Sequence, residues 1–156
     1  MAGKIVVGVD GSEPSHEALR WAAAEAELRR ARIVAAHSWT FIPPTPIGEP
    51  GMIPMPATDY VGQMDAERNA ALAELEAAVA EVFPDGAPAG LETKLLEGDA
   101  EDALVRESAD AELLVVGSRG RSGITSALLG SVSRHVVSHA RCPVVVVKPP
   151  PAEHCD

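Results

Sequence analysis

Residues Leu113–His135 read LLVVGSRGRSGITSALLGSVSRH. Four aliphatic residues without polar alternation have the length of a strand buried on both faces, and such strands belong to parallel sheets covered by helices. The run empties into a stretch that holds four glycines, five serines and three arginines between Gly117 and His135. Val132, Val136, Val137 and Ala140 then recur at helical spacing until Cys142 and Pro143 stop the pattern. Strand, small-residue loop and helix in that order are the building unit of a doubly wound sheet.

The same order repeats outward from this stretch. KIVVGV, Lys4–Val9, ends in DGSEPS, where Ser12 caps a helix, Pro14 suits its first turn, and Ala18, Leu19, Ala22 and Ala26 share one face until the pattern fades near Arg30. Ile33–His37 is a second strand. Thr40–Thr58 carries six prolines and reads as an irregular loop, placed by its position to cover a site or meet a partner. From Asp59 a second helix is expected, with Leu72, Leu75, Val79 and Val82 in one stripe and Phe83 to Gly86 as its stop. Leu91–Leu96 alternates like an edge strand with one face exposed, Asp99 is placed to cap a third helix, and Val144–Val147 is a fifth strand. With right-handed crossovers, this is an α/β chain: one doubly wound domain over residues 1–150 with a five-stranded parallel sheet and helices on both faces, followed by a tail over 151–156.

Composition narrows the function classes. A net charge of -10 repels a phosphate backbone and argues against general nucleic-acid binding. No apolar run approaches the roughly 20 residues of a membrane span, and MAGKIVVGVDGS is unlike a secretory signal, so no membrane association and a cytoplasmic location are expected. Cys142 and Cys155 form no C-x-x-C pair and read as free thiols, and His154 and Cys155 in the tail do not amount to a metal site. Trp21 reads as a packing residue, His37 as a hydrogen-bonded core histidine, and His16, His135 and His139 as exposed helix residues, with His139 suited to the negative end of its helix.

Doubly wound sheets bind ligands beyond the carboxyl ends of their strands, where the quoted loop lies. A glycine-rich connection entering a helix offers uncovered N–H groups and the positive end of the helix dipole, which suits an anion. Gly117, Gly120 and Gly130 are read as positions for close backbone approach or positive φ, Ser131 and Ser133 as hydroxyl donors, and Arg119 and Arg121 as local positive charge. The plainer reading is a flexible turn with Ser131 as an ordinary N-cap and Asp10 as a helping cap for the first helix. Neither the P-loop pattern nor G-x-G-x-x-G fits, since the first lacks its Gly-Lys pair and the second meets Ser118.

Gly117, Gly120, Gly130 and Ser131 do match G-x2-G-x9-G-[ST] in full spacing, and with IVVGVDGSEPS, LLVVGSRGRSG and CPVVVVKP the chain from Lys4 to Pro149 resembles the ATP-binding subgroup of the universal stress proteins. The resemblance implies that Val9 and Asp10 lie beside adenosine, with Asp10 a ribose or Mg2+ contact. It implies that the backbone of Ser38 meets the adenine edge, that Gly117, Arg119 and Gly120 follow ribose and phosphates, and that Gly130, Ser131, Val132 and Ser133 hold the phosphate tail. It further implies ATP as the ligand, a regulatory role in the stress response and a homodimer through the last strand. Part of a phosphoryl-transfer set is missing, because the loop holds no lysine and no base for water is identifiable. A binder with little or no turnover, a nucleotide-free dimeric module and a slow ATPase are the three readings left standing.

Overall fold

The computed structural model describes residues 2–43, 57–120 and 129–150. The strands are β1 (Lys4–Gly8), β2 (Arg32–Trp39), β3 (Leu91–Glu97), β4 (Leu113–Gly117) and β5 (Val144–Val147), and the helices are α1 (Glu13–Arg29), α2 (Ala57–Val82), α3 (Ala100–Glu107) and α4 (Ser131–His139). All pairings are parallel, in the order β3-β2-β1-β4-β5. The expected single sheet with helices on both faces is therefore present, with β3 at one edge and β5 at the other.

Period-two alternation divides each strand between two cores. Ile5, Val7, Ile33, Ala35, Leu113 and Val115 face a layer that α1 supplies with Leu19 and Ala22 and α2 with Leu75 and Val79. Val6, Val34, Ala36, Leu114 and Val116 face the opposite layer, where α3 presents Leu104 and α4 presents Val136. Alanines and valines fill both layers, so the helices sit close to the sheet. Lys4, only 8% exposed, closes the far end of the sheet by donating to the Glu107 carbonyl and pairing with the carboxylates of Glu107 and Asp110.

Several details depart from the sequence expectations. β1 ends at Gly8, so Val9 lies just past it, and β2 runs a residue earlier and two later than Ile33–His37. α2 begins at Ala57, ahead of Asp59, and Leu72 is only half-buried where Ala71 and Ala78 complete the packed face. Asp99 takes the N-cap position of α3 but its side chain makes no cap bond. Val137 is 51% exposed, off the packed face of α4, and Trp21 is 37% exposed on α1. His16 is buried instead of exposed, because α2 covers that side of α1, and neither of its ring nitrogens has a hydrogen-bond partner. His135 is half-buried and lies 3.2 Å from Asp102, while His139 stacks on it and places Nδ1 2.9 Å from the His135 carbonyl in the last helical turn. Among the described residues no helix is long and apolar enough to cross a membrane. Residues 44–56 of the proline-rich segment, Arg121, and the tail with His154 and Cys155 lie outside the described residues.

Candidate functional site

The helix after β1 packs on one face of the sheet and the helix after β4 on the other, although the two strands are neighbours. Their exit loops must part. The result is a cleft beyond the carboxyl ends of β1, β2 and β4, where doubly wound sheets take their ligands. All ten residues singled out in the sequence line it: Val9, Asp10, Ser38, Gly117, Arg119, Gly120, Gly130, Ser131, Val132 and Ser133.

The wall on the β1 side is held by a tight local net. Ser12 is the N-cap of α1 and its hydroxyl accepts from the Ser15 N–H at 3.4 Å. Asp10 Oδ1 in turn accepts the Ser12 N–H at 2.9 Å and also the Ser12 hydroxyl. Asp10 thus does support the first cap, as the plainer reading had it, while its second oxygen turns toward the β4 loop. A Cβ built on Gly120 would stand 2.9 Å from that Oδ2, so a side chain here would push the Asp10 carboxylate aside.

Gly117 has a different reason. A Cβ there would come within 2.7–2.8 Å of the carbonyl carbon, Cβ and oxygen of Pro14, so the missing side chain admits the start of α1 against the end of β4. None of Gly117, Gly120 and Gly130 has positive φ, which corrects one of the two uses read from the sequence; the left-handed glycine of this region is Gly11, with φ 79°.

Gly130, and not Ser131, is the N-cap of α4. Its N–H is taken by the Ser118 carbonyl at 2.8 Å, and its carbonyl accepts from Arg134 at 3.0 Å. The N–H groups of Ser131, Val132 and Ser133 belong to the first turn, where a helix has no partners for them, and all three residues line the cleft. The Ser133 hydroxyl is committed inward, donating toward the carbonyls of Ser118 (3.2 Å) and Gly130 (3.0 Å). Ser131 is the exposed hydroxyl.

On the β2 side the ladder itself makes a reading edge. In a parallel strand the N–H and C=O of one residue point to the same neighbour and alternate along the chain. The Ala36 carbonyl accepts from Val9 at 2.8 Å, so Ala36 faces β1 and Ser38, two residues on, faces the same side after β1 has ended. Val9 spends its other polar group on His37, whose Nδ1 lies 2.7 Å from the Val9 carbonyl. The Val9 side chain itself belongs to the core at 4% exposure.

Sequence reasoning missed Gly8, Ser15, Ala36, His37, Ala100, Leu104 and Val116 as lining residues. Small residues at strand ends were a usable signal for Gly8 and Ala36. Ala100 and Leu104 carry none, since only the α3 crossover brings them there. Among the described residues no group of three or more metal-ligating side chains converges.

The chain is similar to known proteins. Universal stress protein Rv2005c of Mycobacterium tuberculosis is 35% identical over 144 residues, covering 92% of this chain and 45% of that protein. The chain spans about half the length of the curated relatives it matches. The universal stress protein of Archaeoglobus fulgidus in complex with dAMP superposes with a TM-score of 0.57 at 27% identity, over 95% of this chain and 98% of that one. A universal stress protein in complex with cAMP gives 0.55 at 29% identity, over 93% and 95%. The sequence pattern of the family described as "Universal stress protein family" matches residues 1–148, and this chain belongs to that family.

Proposed function

We propose that the chain is a stress-response protein that binds an adenine nucleotide, ATP, in the cleft between the β1 and β4 loops, and acts through occupancy more than through turnover. The observation that carries this reading is the convergence, in one cleft, of the first-turn N–H groups of Ser131 to Ser133 with the open backbone edge of Ser38. The first suits phosphate, and the second suits a base that presents a donor beside an acceptor. Two relatives in complex with dAMP and cAMP support the adenine nucleotide class.

The residues fit a triphosphate. The α4 N-terminus has a bare glycine cap, Arg119 lines the cleft, and Gly120 leaves room beside Asp10. Mg2+ would be held by the phosphates and by Asp10, whose Oδ2 borders Gly120 while Oδ1 serves Ser12; a single carboxylate is enough for an ion that keeps several waters. Bound there, the ion supplies charge neutralisation along the phosphates. Among the described residues that line the cleft, Asp10 is the only carboxylate and no lysine joins it, which supports binding over rapid turnover.

We also propose a homodimer through β5. Its four valines are half-buried, and it ends the sheet with one unpaired edge, which invites a second strand.

Native mass spectrometry in ATP reads both proposals at once. The expected species is twice the 16.3 kDa chain with nucleotide retained. Ser131→Ala, which loses one charge-assisted hydrogen bond, and Gly130→Ala, whose added methyl blocks close approach of the phosphates to the backbone, are each expected to weaken ATP about tenfold, with folding kept by circular dichroism. Folded variants that bind as the parent does would overturn the placement of the phosphates.

A further inference from the structure

We propose that His37 is a positioning residue whose protonation tunes nucleotide affinity, through Val9 on one side and Glu74 on the other. This rests on the nucleotide reading of the cleft and adds its regulation.

A carbonyl oxygen can only accept, so the 2.7 Å contact to Val9 requires the proton on Nδ1 of His37. In the neutral ring the other nitrogen, Nε2, is then an acceptor. It looks at another acceptor, the Glu74 carboxylate of α2, at 3.8 Å. Neutral His37 therefore holds Val9 but cannot hold α2. A second proton gives Nε2 an N–H for Glu74, ties α2 to the cleft wall and sets a positive charge beside a site built for an anion.

The surroundings are sparse enough for this change to be felt. His37 is largely buried at the side chain, 14% exposed. On β3 its register partner is Leu95, α3 offers Ala100 and Leu104 to the cleft, and α2 offers Glu74. Among the described residues, the other charged groups lining the same cleft are Asp10, already engaged by Ser12, and Arg119. α1 contributes Ser15, which has no charge in this range.

The chain makes the coupling directional. Val9 leads straight into Asp10, and Ser38 follows His37, so a shift of the imidazole moves both residues that flank the base end. Acid should tighten binding.

The test is isothermal calorimetry with ATP at pH 6 and pH 8, for the parent, His37→Asn and Glu74→Gln. Asparagine keeps an N–H near Nδ1 for the Val9 carbonyl but does not titrate. ATP gains a proton over the same range in every titration, so its own contribution cancels when ratios of affinity between the two pH values are compared across variants. The parent ratio is expected to exceed that of His37→Asn by about three- to tenfold, the effect of one nearby charge under partial screening, with Glu74→Gln between them. Melting temperatures at both pH values separate this from a change in folding. Equal ratios in the parent and His37→Asn, with binding retained, overturn the proposal and leave the nucleotide reading standing. A parent that binds no ATP at either pH overturns both.

Discussion

At the scale of single residues, two glycines of one motif serve different ends. Gly117 makes room for the protein itself, since Pro14 occupies the space a side chain would need, while Gly130 has only ordinary contacts of 3.5–3.6 Å around its missing Cβ. Gly117→Ala should therefore cost about 1–3 kcal/mol through overpacking, measured by urea unfolding, where Gly130→Ala should leave the midpoint almost unmoved. An unchanged midpoint for Gly117→Ala would mean that α1 can slide away from β4 without penalty. The motif spacing was legible because it is local in the chain. Which glycine is fixed by packing was not, because Pro14 is distant in sequence and touches Gly117 only in the fold. His16 makes the same point: a histidine on a helix read as exposed, yet α2 folds over it and leaves both nitrogens without a hydrogen bond, the carboxylates of Glu13 and Glu81 lying 3.8 and 4.0 Å from Nδ1.

At the scale of elements, α1 and α4 start in contrasting ways. α1 has a side-chain cap, Ser12, held by Asp10, whereas α4 starts on glycine with no side-chain cap bond. The bare start of α4 leaves its first-turn N–H groups uncovered by a side chain, which is what the proposed nucleotide site requires. Ser12→Ala should destabilise the fold by about 1 kcal/mol and also weaken ATP, because it removes the cap and one of the hydrogen bonds that hold the Asp10 carboxylate at the cleft, while the N–H of residue 12 keeps the other. Thermal melts with and without ATP distinguish the two effects; a loss of stability with nucleotide affinity intact would separate the cap from the site. The helix starts at Ser12 and Asp99 were readable from residue type, but the absence of a bond from Asp99 was not, since capping needs a rotamer as well as a suitable side chain.

At the scale of the whole molecule, the far end of the sheet is tied by Lys4, which joins the start of β1 to the turn after α3. Its hydrogen bond, and then its charge, hold the Asp110 carboxyl below the ordinary aspartate value of 3.8. A carboxyl lowered in the folded state adds stability above its unfolded value and loses it as pH falls through the folded one. Acid unfolding below about pH 4 should accordingly be less steep for Asp110→Asn than for the parent, and coincident profiles would show the pair to be idle; the gain is small because the Asp110 side chain is 77% exposed. The sequence by itself determined the alternation of elements, the parallel sheet, the edge place of β3 and the spacing of the glycine motif, because strand runs, caps and glycine spacing are written within a few residues of each other. Only the tertiary structure decided that Gly117 yields to Pro14, that α2 buries His16, and that His37 stands between Val9 and Glu74. Those contacts join residues from different crossovers, and burial and partnership at such a distance follow from how the layers pack, which no local pattern encodes.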